Sequence, residues 1–388
     1  MNIEVADRLK HTEEYYFSKK LREIDQLNKN GAQVINLGIG SPDLPPHPEV
    51  IRVLNNESQK ANTHGYPQNY RGIPILRQSM ADWYFRYYNV DLDPQSEILP
   101  LIGSKEGIVH ICMTYLQQGD QVLIPNPGYP AYSSAVRLSG ATAISYSLQA
   151  DRNWQPDFEQ LEKLDLTKVK MMWVNYPHMP TGARATTTLF EKLIAFGKKH
   201  NILICHDNPY SFILNDHPQS ILAVQGAKEV AIELNSLSKS SNMAGWRIGM
   251  LVAAKERIDE ILRFKSNMDS GMFLPLQLAA AKALQLDQSW YTELNSVYAN
   301  RRTFVYKLMD LLGCAYDEKQ VGLFVWAKIP DNYKNSYDLC DEVLENAHVF
   351  VTPGGIFGSM GEQYIRISLC ANEEVLTQAL ARISTAKS

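Results

Sequence analysis

The chain has 388 residues, 45 % of them apolar and 21 % charged, with 38 basic side chains against 42 acidic ones for a net charge of −4. That balance supports packed domains and excludes disorder as the main state. It offers no Lys/Arg footprint for a phosphate backbone, so nucleic acid is not an expected partner. No run approaches the ~20 apolar residues of a membrane span, so no membrane association is expected.

Residues 1–20 are charged throughout, where a secretory leader would carry an apolar stretch, and the expected compartment is the cytoplasm. Residues 1–30 predict an amphipathic helix ended by Asn30-Gly31, in which Tyr15 and Tyr16 are read as helix packing, with closure over a pocket as the alternative. A strand is expected over 34–37. Residues 38–48 hold four prolines and two glycines, which blocks both helix and ladder and makes an irregular crossing. Short β-rich runs then alternate with helical segments: strands are expected over 98–102, 121–124, 141–146, 171–175, 202–206, 230–234 and 250–253, and a helix over 189–200. Several of these runs are almost wholly apolar, as in strands buried on both faces, so an α/β domain with a mostly parallel central sheet between helices is predicted. Helices over 258–286 and 291–312 and strands near 323–327 and 364–368 complete a smaller α+β domain made from both termini. The expected division is 1–47, 48–285 and 286–388. The five cysteines are scattered, without C-x-x-C or a Cys/His cluster, so free and mostly buried thiols and no metal are expected.

Three polar residues stand just past three consecutive predicted strands: Asn175, Asp207 and Lys239, each 32 residues from the next. That interval is close to the ~30 residues of one βαβ unit, so all three can converge beyond the carboxyl ends of a sheet, where ligands bind in open α/β folds. Pyridoxal phosphate (PLP) asks for such a group: a lysine for a Schiff base, an anion to keep its ring nitrogen protonated, a donor to its phenolic oxygen and a cradle for its phosphate. Lys239 fits the first need and Asp207 the second, with Asn175 and Tyr210 as donors. Arg247 and Ser236 suit the phosphate, together with the backbone at Ser104 and Lys105, where Gly103-Ser-Lys-Glu-Gly107 opens an apolar helix.

Seven motifs in order carry a resemblance to a family. They are Asn36-Leu-Gly-Ile-Gly-Ser-Pro-Asp43, Gly103-Ser-Lys-Glu-Gly107, Pro125-Asn-Pro-Gly-Tyr-Pro130, Asn175-Tyr-Pro-His-Met-Pro-Thr-Gly182, Asp207-Asn-Pro-Tyr210, Ser236-Leu-Ser-Lys239 with Gly245-Trp-Arg-Ile-Gly249, and Pro353-Gly-Gly-Ile-Phe-Gly358 followed by Tyr364-Ile-Arg-Ile-Ser368. The chain resembles class I/II aminotransferases of the aspartate aminotransferase fold, PLP fold type I, from about residue 33 to 369. The resemblance implies that Tyr129 stacks on the cofactor ring and that Arg366 grips the substrate α-carboxylate, helped by Asn175 and the backbone of Gly40. It also implies a homodimer in which Tyr66 reaches the phosphate of the neighbouring site. The loop after Asn175 departs from the family pattern, with His178 and Met179 in its lining, and Asn208 stands where an acidic residue is usual.

The implied reaction is a ping-pong transfer of the amino group of an L-amino acid to 2-oxoglutarate or pyruvate, with Lys239 as both base and acid and its pKa drawn toward neutrality. A β-lyase on the same fold is the alternative. The Gly103–Gly107 and Gly322–Lys328 segments look most like the LL-diaminopimelate and aspartate/alanine branch; Lys105 either reaches a distal carboxylate there or faces solvent. His64, His178 and His206 are read as packing or loop-lining residues, since no histidine spacing suits a metal. Gly38-x-Gly40 is not a dinucleotide fingerprint, because Asp43 takes the third glycine position and Pro42, Pro45 and Pro46 prevent the helix it needs.

Overall fold

The computed structural model describes residues 3–10, 14–67 and 69–387. Thirteen strands follow in chain order: β1 (Ile35–Asn36), β2 (Ile98–Leu101), β3 (Gln121–Asn126), β4 (Thr142–Ser147), β5 (Val169–Asn175), β6 (Leu203–Asp207), β7 (Ala231–Ser236), β8 (Gly249–Ala253), β9 (Ala315–Tyr316), β10 (Phe324–Lys328), β11 (Val349–Phe350), β12 (Thr352–Pro353) and β13 (Tyr364–Ser368). Strands β2 to β8 form one seven-stranded sheet in the order β2-β8-β7-β6-β5-β3-β4. It is parallel except for β8, which runs against both β7 and β2.

The sheet is buried on both faces, which is why its strands read as continuous apolar runs. Along β5 the side chains alternate, Met172 and Val174 packing into one core layer and Met171 and Trp173 into the other. Register then decides what stands beside what: Asn175 pairs with Asp207, Asp207 with Leu234, and Ser236 with Gly249. The three polar residues singled out by their spacing therefore lie at one edge of the sheet, at or just past the ends of adjacent strands.

The two chain ends meet in a smaller α+β unit. An antiparallel sheet in the order β12-β13-β10-β9 and the parallel pair β1-β11 pack against helices Gln288–Leu311, Ser336–Ala347 and Glu373–Lys387 around a third apolar core. The amino-terminal helix Tyr16–Lys29 adds Phe17 and Ile24 to that core.

Two expectations need correction. The amino-terminal helix is a short turn, Asp7–Lys10, and a separate helix from Tyr16, because Tyr15 is extended (ψ 127°); residues 11–13 of the expected helix lie outside the described residues. The helix expected over 258–286 is two, Lys255–Lys265 and Leu274–Leu284. Between them Asp269 Oδ1 accepts the N–H of Gly271, which turns left-handed at φ +91°, and Pro275 restarts the second helix. The five cysteines are free thiols, all buried except Cys370, which is half-buried. No helix among the described residues is long and apolar enough to cross a membrane.

Candidate active site

A cavity of about 610 Å³ opens between the large sheet and the smaller unit. Of the residues expected at the site, Gly40, Ser104, Lys105, Tyr129, Asn175, Asp207, Tyr210, Ser236, Lys239, Arg247 and Arg366 all line it. Tyr66 does not; its side chain projects into solvent, 87 % exposed.

Lys239 sits in the one-turn helix Leu237–Ser240 directly after β7, started by Ser236, whose Oγ accepts the N–H of Ser238 at 3.1 Å. Its Nζ donates to the carbonyl of Gly40 at 2.5 Å. Burial lowers its pKa; Arg366 and Arg247 act in the same sense, against an opposing effect of Cys370.

Asp207, at the end of β6, accepts the phenol of Tyr132 on Oδ2 at 2.9 Å, while its buried Oδ1 has no partner among the described residues. Burial pushes its carboxyl up to about 6, against the Tyr132 hydrogen bond and the charge of His206. Asn175 braces the neighbouring backbone: Nδ2 donates to the carbonyl of Asp207 at 2.6 Å and Oδ1 accepts the N–H of Met179 at 2.7 Å. One N–H of that amide remains for a ligand.

Arg247, in the left-handed region at φ +57°, lies against Gly103, which itself stands at φ +83°; a side chain at Gly103 would run into the guanidinium. Helix Ser104–Tyr115 begins there, and its first N–H groups crowd β8 so closely that a Cβ at Gly249 would come within 2.5 Å of Ser104 N. Free N–H groups at a helix start beside an arginine make an anion cradle.

Arg366, on β13, is buried at 4 % exposure, and burial lowers its pKa to about 10. Nη2 donates to the carbonyl of Gly38 at 2.8 Å, Nη1 approaches the Met179 thioether at 3.2 Å, and Nε has no partner among the described residues. The ring of Phe324 lies 3.9 Å from the guanidinium carbon and that of Phe357 at 4.7 Å.

Sequence reasoning missed several lining residues. Tyr132 is three positions past Tyr129 on the same helical face, a signal that was available. For Tyr15 the alternative to helix packing holds: it lines the cavity beside Phe17, with Lys105 Nζ 4.8 Å from its ring centre. The helix starts one residue later and leaves Tyr15 in the loop. Ser238 also lines the cavity; of the two loop residues expected in the lining, Met179 lies there, whereas His178 does not and hydrogen-bonds Thr181 at 2.8 Å. Elsewhere, Glu106, His110 and Asp269 converge, but the Lys265 ammonium already pairs with both carboxylates.

Residues 32–383 match the family model "Aminotransferase class I and II". The chain belongs to this family. It is 39 % identical over 388 residues, all of both chains, to an LL-diaminopimelate aminotransferase of Dehalococcoides mccartyi. The substrate-bound structure of BacF from Bacillus subtilis superposes with a TM-score of 0.93 at 36 % identity, covering 99 % of this chain and 98 % of that one. A Thermus thermophilus aspartate aminotransferase mutant, at 22 % identity and a TM-score of 0.91 over 99 % of this chain and all of that one, shows the same fold. This aminotransferase is thus a PLP-dependent enzyme of fold type I that passes the amino group of an L-amino acid to a 2-oxo acid.

The cavity fits the cofactor on its own terms. Asp207 Oδ1 is a buried carboxylate oxygen lacking a donor, which a protonated ring nitrogen supplies. Lys239 meets only a carbonyl, and Arg247 with the start of helix Ser104–Tyr115 offers donors to a phosphate.

Proposed function

We propose that this aminotransferase takes as amino donor an L-amino acid with a distal carboxylate, of the diaminopimelate or aspartate kind, and passes its amino group to 2-oxoglutarate or pyruvate. Two observations support the reading: relatives 37–39 % identical over nearly the whole chain are LL-diaminopimelate aminotransferases, and the Lys105 ammonium stands in the cavity wall beside Tyr15.

PLP, when bound, supplies an aldehyde that exchanges amino groups and a ring that takes up the electrons of the substrate Cα–H bond. The side chains divide the remaining work. Lys239 Nζ, with its lowered pKa, takes the Cα proton and returns a proton on the far side of the transfer, which requires the neutral amine near physiological pH. Asp207 holds a proton at the ring nitrogen through Oδ1. With the cofactor bound, Tyr210 and Asn175 would donate to its ring oxygen and Tyr129 would stack on its ring. The backbone N–H groups of Ser104 and Lys105, the Ser236 hydroxyl and the Arg247 guanidinium would hold the phosphate, which leaves the Lys105 ammonium to the substrate. Arg366 receives the substrate α-carboxylate, aided by Asn175 and the backbone of Gly40, and the aromatic rings around its guanidinium exclude water and strengthen that ion pair. Tyr66, exposed here, reaches the phosphate in the site of a second copy, so the working form is a homodimer; the compartment is the cytoplasm.

The test is a panel of L-amino acids against 2-oxoglutarate and pyruvate, reading glutamate and alanine formed. Donors with a distal carboxylate are expected to lead, and Lys105→Ala to raise KM for them alone by at least tenfold. Preference for phenylalanine or leucine, with Lys105→Ala indifferent to the donor, would overturn the substrate class. Borohydride reduction of the holoprotein followed by peptide mapping is expected to label Lys239; a label elsewhere would overturn its role.

A further inference from the structure

Strand β6 carries two ionisable residues in succession. Asp207 lines the cavity, and His206, pointing to the other face of the sheet, is fully buried with its ring 4.9 Å from that of Phe190. His206 Nε2 lies 2.9 Å from the carbonyl oxygen of Tyr176 and Nδ1 lies 2.8 Å from Oε2 of Glu233. A carbonyl only accepts, so Nε2 carries a proton.

The proton between Nδ1 and Glu233 is placed by the surroundings of the carboxyl. Glu233, on β7, is also fully buried. Its Oε2 accepts the N–H of Ile221 at 3.1 Å, the Ser220 hydroxyl lies 3.0 Å from both oxygens, and the Tyr84 phenol donates to Oε1 at 2.8 Å. The Ser220 oxygen already accepts the N–H of Leu222, which directs its hydrogen toward the carboxylate. With three further donors on the carboxyl and a carbonyl already at Nε2, the donor in the remaining contact is Nδ1. The hydrogen-bond count thus gives a buried imidazolium–carboxylate pair behind the wall of the cavity.

We propose that His206, as an imidazolium held by Glu233, is a positioning residue for the transamination: it anchors the loop from Asn175 to Thr181 and keeps the Asp207 carboxylate ionised. It touches neither cofactor nor substrate and acts through two neighbours. One route is mechanical. The hydrogen bond to the Tyr176 carbonyl holds the residue after Asn175, whose amide joins Asp207 to Met179, and Met179 in turn lies on Arg366. The other is electrostatic. Tyr132 donates to the Asp207 carboxyl and Tyr129 and Tyr210 line the same cavity, while His206, next to Asp207 in the chain, carries the positive charge that acts against burial on that carboxyl. Facing His206 itself are Glu233 from β7, Tyr84 from helix Pro74–Tyr88 through that carboxylate, and the Tyr176 backbone. Because a buried ion pair is weak support for stability by itself, a purely structural role and this one predict different readouts.

The experiment uses holoprotein labelled with ¹⁵N at histidine. Ring ¹⁵N–¹H spectra between pH 6 and 9, assigned by the signals lost in His206→Gln, are expected to show both His206 nitrogens protonated throughout. In His206→Gln the acid limb of the kcat profile, and that of the bound-cofactor absorption, should move up by about one pH unit, with kcat at pH 7 at least tenfold lower and KM within threefold. Should that variant fold poorly, the double variant His206→Leu with Glu233→Leu, which leaves no unpaired charge, is read the same way. A neutral His206 ring at pH 7, or a variant holoprotein with the parent's acid limb and absorption profile, overturns the proposal. The spectra and the absorption profile decide it even if the proposed amino donor is wrong.

Discussion

Tyr132 donates its phenol to Oδ2 of Asp207 at 2.9 Å while its ring lies flat on Trp173, centroids 5.0 Å apart and planes 6° from parallel. Trp173 belongs to the same sheet as Asp207, so the donor is locked to the frame that carries its acceptor. Tyr132→Phe keeps the stacking and removes the donor. A hydrogen bond to a charged group is worth about 1.5–3 kcal/mol, so kcat at neutral pH is expected to fall roughly 10- to 100-fold. The acid limb of the pH profile should move upward, because a carboxylate that loses a donor holds its proton more tightly.

Asp207 also makes a prediction for the cofactor-free protein. Its carboxyl is pushed up to about 6 by burial, above its ordinary value of 3.8. A raised folded-state pKa contributes stability that is complete below the unfolded value and is lost as pH rises through the folded one. Between pH 4 and pH 6 this group therefore withdraws about 3 kcal/mol from the fold. Asp207→Asn, which cannot ionise, should leave the cofactor-free protein more stable than the parent at pH 7.5 by roughly that amount and equal to it at pH 4. Urea titrations at the two pH values measure the difference; equal gaps at both would count against a buried, uncompensated carboxylate.

Gly103 joins backbone conformation to cofactor retention. Its φ of +83° is unfavourable for an L side chain, and a Cβ would press on the Arg247 guanidinium. Gly103→Ala should weaken PLP binding at least tenfold by moving the arginine and the first N–H groups of helix Ser104–Tyr115 off the phosphate. Absorbance titration of the cofactor-free variant with PLP gives the affinity, and unchanged binding would remove Arg247 from the phosphate site.

Arg366 is held by one carbonyl, a thioether and aromatic rings, with Nε free for a ligand. Arg366→Lys retains the charge but loses the planar fork, so KM for every amino-acid substrate should rise about 30- to 100-fold. The loss is expected to be the same whatever the side chain of the substrate, since the α-carboxylate is common to all; steady-state kinetics with three donors of different side chains check this.

Much of this molecule could be read from its residues. The strand ends at Asn175 and Asp207 and the turn at Lys239 were found from apolar runs and equal spacing, since a sheet buried on both faces leaves its polar residues only where strands stop. Helix boundaries were less legible. The break before Leu274 depends on Asp269 capping the N–H of Gly271, a local hydrogen bond competing with an otherwise continuous apolar pattern. Taken alone, Tyr132 is not legible as a site residue in the sequence, because a tyrosine on an amphipathic helix looks like core. Only the packing of helix Pro130–Leu138 on β3 and β4 brings its phenol to the Asp207 carboxylate.

The sequence by itself determined the family, the layered fold and the chemical types at the site, because those are recorded in local runs and in intervals along the chain. Tertiary structure alone decided which atoms remain free there. Asp207 Oδ1 lacks a donor, Asn175 is mostly spent on backbone, and His206 has acceptors at both nitrogens, because partners 4 to 75 positions away along the chain take up the other atoms of these groups. A folded interior fixes such pairings through geometry across strands and helices, and no periodicity in one chain encodes them.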